Sequence, residues 1–180
     1  MFDGFVDGYI RYIENFQLLD EELWSRFVQQ FNEDADFDAG WRGEYWGKMM
    51  RGAAMTYAYT KNPKLYDVLV KTINDMIDSA DGDGRISSYG RQHEFDGWDL
   101  WARKYVMLGM QYFMEICPDE TLNKRITESM KKQADYIISK IGNEDDKLPI
   151  TSATRHWRGL NSSSILEPIV RLYNITGEKR

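Results

Sequence analysis

The chain has 180 residues, a formal charge of −6 and 42% apolar residues, enough to fill one core. An acidic chain lacks the broad basic field that nucleic acid or an anionic lipid surface requires, so neither is expected as a partner. One cysteine excludes an internal disulfide framework, no apolar run approaches the ~20 residues of a membrane span, and Met1-Phe2-Asp3-Gly4 lacks the basic-then-apolar pattern of a signal peptide.

The sequence leaves the compartment open. Its distinctive numbers are six Trp, eleven Tyr and nine Met. Aromatics at 14% exceed what a small core needs, which points to rings lining a groove.

In chain order, residues 5–16 and 21–31 read as two helices. Tyr45 to Tyr59 follows as a helix that is apolar around most of its circumference, so it is buried on several sides. Asn62-Pro63 is a helix start, with Asn as cap and Pro in the first turn. From there Leu65, Val68, Leu69, Ile73, Met76 and Ile77 form one stripe, opposite Lys64, Asp67, Lys71 and Asp75.

Asp81-Gly82-Asp83-Gly84 ends that helix. It imitates part of a calcium loop, but Gly90 stands where the bidentate Glu would be, so it reads as a turn. Trp98 to Ile116 is a second helix apolar all round. Pro118-Asp119 then opens an amphipathic one with Leu122, Ile126, Met130, Ala134, Ile137 and Ile138 as its stripe, closed by Gly142-Asn143. A last helix begins near Leu160 and runs through Ile165, Leu166, Ile169, Val170 and Leu172.

Buried helices thus alternate with amphipathic ones, and the alternation is a repeat. Gly40-Trp41-Arg42-Gly43, Gly97-Trp98-Asp99-Leu100 and His156-Trp157-Arg158-Gly159 each precede or open a buried helix, with tryptophans 57 and 59 residues apart. Tetratricopeptide and HEAT repeats, at about 34 and 40–47 residues, are too short for this period. Helical hairpins of this length, with inner and outer helices, predict an all-α fold, an α/α toroid. The expected divisions are 1–39 (two N-terminal helices), 40–95 and 96–155 (two hairpins) and 156–180 (the start of a third). Closing such a toroid takes about twice this length, so the expectation is the N-terminal half of a barrel. Its exposed edge is expected to favour a homo-oligomer.

Several segments carry a resemblance. They are Trp41-Arg42-Gly43-Glu44-Tyr45-Trp46-Gly47-Lys48 with Ala53-Ala54 and Tyr57, Asp83-Gly84-Arg85-Ile86, Trp98-Asp99-Leu100-Trp101-Ala102-Arg103-Lys104-Tyr105, and Leu166-Glu167-Pro168-Ile169-Val170-Arg171-Leu172-Tyr173 with Thr176-Gly177. In this collinear order they resemble the N-terminal part of the catalytic domain of glycoside hydrolase family 127, which contains β-L-arabinofuranosidases. The resemblance implies an (α/α)6 barrel, a sugar pocket at one end and a carbohydrate substrate.

It also implies a zinc-bound cysteine nucleophile and a glutamate acid/base, both downstream of the matching stretch. Cys117, at a hairpin turn beside Pro118, does not match that cysteine. No catalytic residue and no cofactor is therefore expected in this chain, and zinc belongs to the full-length protein. Family members often carry His near the Arg42-Gly43-Glu44 and Lys48 positions, near the start of the second inner helix and near Asn161-Ser162. This chain departs from them there.

The residue types agree with a sugar site. Sugars present apolar C–H faces, on which aromatic rings pack, and hydroxyls, which charged groups bond. Trp41, Trp46, Trp98 and Trp101 are the candidate stacking residues, and Glu44, Asp99, Arg103 and Lys104 the candidates for bonding hydroxyls. The alternative for each Trp is a plug at a hairpin junction.

Glu44 and Asp99 lie on neighbouring inner helices and could form the carboxylate pair of a glycosidase. The alternative is ion pairing with Arg42, Lys48, Arg103 or Lys104. His93 and His156 are too few for a zinc site without carboxylates. The function expected is a glycoside hydrolase domain acting on plant-type glycans. The alternatives are a non-catalytic helical module that binds glycan or protein, and another (α/α)6 carbohydrate enzyme such as an unsaturated-uronide hydrolase.

Overall fold

The computed structural model describes residues 3–32 and 43–179. Among them every regular element is helical, apart from an isolated bridge between Ile141 and Leu148. The helices are α1 (Gly4–Ile13), α2 (Glu21–Gln29), α3 (Gly43–Thr60), α4 (Pro63–Asp78), α5 (Asp99–Met114), α6 (Glu120–Lys140), α7 (Leu160–Ser163) and α8 (Leu166–Thr176). The chain is all-α, as its periodicities imply.

Side chains named in the sequence set the helix starts. Asn62 accepts from the Lys64 N–H at 3.1 Å, with Pro63 in the first turn of α4. Asp119 accepts from the Thr121 and Leu122 N–H groups at 2.8 and 3.2 Å to open α6. Asp20 does the same for α2. At the other end, Gly177 takes the left-handed conformation, φ +72°, that terminates α8.

The helices form two layers. α3 packs most extensively on α5, α5 on α8, and the turn after α1 on α3. α2, α4 and α6 lie against these, α2 on α3 and α4, α4 on α3, and α6 on α5 and α8. Arg125 of α6 ties α4 by donating to Asn74 and Asp78. Trp46, Met50, Leu69, Ile73, Met107, Phe113, Ile126 and Met130 are fully buried between the layers.

The α3–α5 crossing is set by two glycines. A Cβ on Gly47 would run into the Tyr105 carbonyl, and one on Gly109 would sit 2.8 Å from the Trp46 ring and 3.1 Å from the Gly47 Cα. Only glycine lets the two backbones meet there.

Two elements differ from the sequence reading. The first helix does not run unbroken to Phe16. It passes into a π-helical turn at Glu14–Leu18. The buried Glu14 carboxylate accepts there from Thr60 Oγ1 at 2.6 Å, and Asp7 accepts from the Tyr59 hydroxyl at 2.8 Å, so the N-terminal helix is tied to the end of α3.

The second difference is the last helix, expected to be continuous from Leu160. It breaks into α7 and α8 because Pro168 lies in the first turn of α8. Proline cannot donate to the Ser164 carbonyl, and its ring would clash there. The Ser164 and Ser163 hydroxyls bond back to the Asn161 and Leu160 carbonyls instead.

Candidate functional site

The return loops before α5 and before α7 meet at one end of the molecule. The Gly97 carbonyl accepts from Thr154 Oγ1 at 2.8 Å and from Asn161 Nδ2 at 3.1 Å. Arg155 pairs with Asp96 at 2.9 Å, and the Trp98 N–H donates to the Tyr89 hydroxyl at 3.0 Å. Phe95, Trp157 and Arg158 have φ of +55°, +49° and +49°, a region that costs a non-glycine residue about 1–2 kcal/mol. Gly159 follows at φ +84°, with its Cα so close to Thr151 and Ile150 that a Cβ would not fit. The clamped loops thus hold a strained turn that carries Trp157 outward, two-thirds exposed.

That turn completes a ring cluster. The Trp98 ring lies 5.8 Å from Trp101, 5.4 Å from Trp157 and 5.6 Å from His156, edge-on to both indoles and stacked on the imidazole. Trp101 continues to Tyr105 at 5.2 Å. Positions 98, 101, 105 and 112 fall three, four and seven apart, so they share one face of α5.

Cations sit on these rings. Lys104 lies 4.8 Å from the Trp101 centroid and 5.1 Å from that of Tyr105, and Lys48 is 5.0 Å from Tyr105. Arg51 and Arg171 flank Tyr112 at 5.2 and 5.3 Å. Two carboxylates complete the face. Glu167 pairs with Lys104 at 3.3 Å and Arg171 at 3.6 Å, and Glu44 pairs with Lys48. The Glu44 hydrogen bond raises the Lys48 ammonium above its ordinary value, and burial raises the Tyr105 phenol. Both therefore stay protonated at neutral pH.

The structure divides the sequence-expected residues. Trp98, Trp101 and Glu44 come together on this face, and Lys104, expected to bond hydroxyls, is buried against the Trp101 and Tyr105 rings and paired with Glu167. Trp41 lies outside the described residues. Trp46 is wholly buried under α4, its indole donating to Thr72 Oγ1 at 3.0 Å, and so it packs the core where stacking on a ligand was expected.

Asp99 and Arg103 are also sealed away from solvent. Asp99 accepts from Ser87 Oγ at 2.6 Å, from the Phe95 N–H at 2.9 Å and from Arg103 at 2.9 and 3.0 Å. Burial alone would push its carboxyl up, but the Arg103 charge and these hydrogen bonds hold it below the ordinary value. Asp99 therefore anchors the 85–95 loop, and no proton-sharing pair with Glu44 forms. Glu94 joins this network through Arg103, Arg85 at 2.5 Å and the Tyr136 hydroxyl at 2.8 Å. The calcium-like turn is a turn, its Asp81 and Asp83 carboxylates accepting from Arg85 and Arg91.

Sequence reasoning missed Tyr105, Tyr112, Arg51, Arg171 and Glu167 as members of one face. The signal was the spacing of rings along α5, hidden because the helix reads as apolar all round.

Zinc does not fit the described residues. No group of three or more His, Cys, Asp or Glu side chains among them could hold a metal ion. Cys117 is buried at the α5–α6 turn, accepting from the Tyr66 hydroxyl at 3.5 Å and donating to the Asp119 carbonyl at 3.7 Å. It lies beyond the far end of α5 from Trp98, about 25 Å along the helix axis.

The family model of the GH127 beta-L-arabinofuranosidase catalytic domain matches residues 10–180, and the chain belongs to this glycoside hydrolase family. No curated protein matches it. Family membership makes carbohydrate the substrate class, and no described helix is long and apolar enough to cross a membrane.

Proposed function

We propose that this chain forms the sugar-binding wall of a β-L-arabinofuranosidase-like hydrolase acting on plant-type glycans. Trp98, Trp101 and Trp157 take the apolar faces of sugar rings, with Trp41 assigned to the same role by its place in the repeat. Glu44 and Glu167 bond hydroxyls at the flank, with the buried Lys104 holding Glu167 in place. The observation that carries the reading is the contact of three indoles and an imidazole at the start of α5, beside charged groups on the same helix face. Rings already in mutual contact and held by clamped loops lose little freedom when a ligand arrives.

The reading assigns no nucleophile and no acid/base to the described residues. Asp99 is ion-paired and sealed, and Glu44 is engaged by Lys48. The zinc–cysteine centre of the family belongs, on this reading, outside these residues. The same ion pairing favours a second reading, a non-catalytic glycan-binding module. Release of L-arabinose from an aryl β-L-arabinofuranoside separates the two, since only the hydrolase turns it over.

Calorimetric titration with a β-L-arabinofuranosyl oligosaccharide tests the wall itself. Trp157→Ala removes an exposed ring, so folding should be retained while affinity falls several-fold, as loss of one aromatic contact worth about 1 kcal/mol requires. Unchanged affinity would sink the assignment of this cluster.

A further inference from the structure

The face that carries the rings is charged against the sign of the chain. The protein is −6 overall. Yet among the described residues Lys48, Arg51 and Arg171 meet on the outer side of α3, α5 and α8, above the buried Lys104, against two carboxylates, Glu44 and Glu167.

The pairing leaves one cation over. Glu44 takes Lys48, and Glu167 is shared by Lys104 and Arg171. Among the described residues no carboxylate lies within ion-pair distance of Arg51. Its guanidinium lies over the Tyr112 ring instead, 5.2 Å from the centroid, on an exposed residue. A guanidinium resting on a ring keeps its N–H fork open at the edge, the geometry that receives a carboxylate through two parallel hydrogen bonds. A neutral sugar has no use for that excess of charge.

We propose that the ligand of this face is an acidic oligosaccharide. A uronate carboxylate is received by Arg51, with Lys48 one helical turn away, while neighbouring sugar rings lie on the Trp98–Trp101–Tyr105 strip. The buried Tyr112 that Arg51 covers lies about 20 Å along α5 from Trp98, so an oligosaccharide of about five linked rings reaches both the ring cluster and the cation. This inference rests on the sugar-binding reading of the Trp98 cluster and adds the charge of the ligand to it.

The test is calorimetric titration of the chain with pentagalacturonate, long enough to span that distance, and with its fully methyl-esterified form. The two share ring shape and differ in charge. The acid is expected to bind about tenfold more tightly than the ester in low salt, the scale of a charge-assisted hydrogen-bonded pair, and to lose most of that margin in 0.5 M NaCl, where the Debye length falls to about 4 Å. Arg51→Gln should abolish the margin and leave ester binding unchanged. Lys124→Gln, on the exposed side of α6, should change neither.

Equal affinity of acid and ester for the unaltered chain, or equal weakening of both by Arg51→Gln, overturns the inference. If Trp98→Ala still weakens both ligands in that case, the sugar-binding reading stands alone. Failure of the acid to bind overturns the inference, and failure of the β-L-arabinofuranosyl oligosaccharide as well overturns the reading beneath it.

Discussion

Arg103 shows how a single buried residue ties together the loop beneath the candidate site. It is buried, its guanidinium 4.7 and 5.4 Å from the Phe95 and Tyr136 rings, and shared by Asp99 and Glu94. Glu94 in turn accepts from Tyr136, and burial together with that hydrogen bond carries the Tyr136 phenol from an ordinary 10.0 up to about 12. The fold therefore favours the neutral phenol more than the unfolded chain does. Its contribution is complete below pH 10 and is lost as pH rises toward about 12. Urea denaturation across that window should show stability falling with pH. Tyr136→Phe should flatten part of the slope, and Tyr66, raised by its own burial, should account for another part. A slope in Tyr136→Phe identical to that of the unaltered chain would remove Tyr136 from this network's account.

The α3–α5 crossing is the element on which the others depend. Gly47 and Gly109 let the helices touch, and the same contact sets Lys48 beside Tyr105. Gly47→Ala pushes a methyl into backbone that has no room to give. A loss of about 3 kcal/mol is expected in urea denaturation, at the upper end for overpacking, although alanine favours helix intrinsically. A stabilised Gly47→Ala protein would mean the helices are free to separate.

Elements with local signals were readable from sequence. Asn62-Pro63 and Asp119 mark α4 and α6 because a cap needs only its own first turn. The division of the last helix at Pro168 was open to reading from one residue, yet the apolar spacing on both sides masked it. The π-turn after α1 has no local signal, because Glu14 is drawn into place by Thr60, 46 residues away.

At the scale of the whole molecule, the site was legible in composition and only partly in address. The sequence groups Trp98, Trp101, Glu44 and Lys104 because repeated tryptophans fall at helix starts, and the structure places them near one another. Trp46, Asp99 and Arg103 carry the same residue types in the same places and point the other way. A helix start has an inward and an outward side, and only packing decides which a side chain takes. Arg51 and Arg171 were invisible because they become neighbours through Tyr112, which lies on a third helix.

The indoles consequently report on two different places. Trp24 and Trp46 are buried with their N–H groups bonded to the Leu18 carbonyl and Thr72. Trp98, Trp101 and Trp157 share one partly wetted cluster. Fluorescence should therefore resolve into a blue emission that acrylamide scarcely quenches and a red-shifted one that it quenches readily. A saccharide settling on the cluster shields only the second. If quenching stays uniform across the emission band, the cluster is not the open surface that its geometry describes. Otherwise occupancy can be followed by light alone, with no label attached.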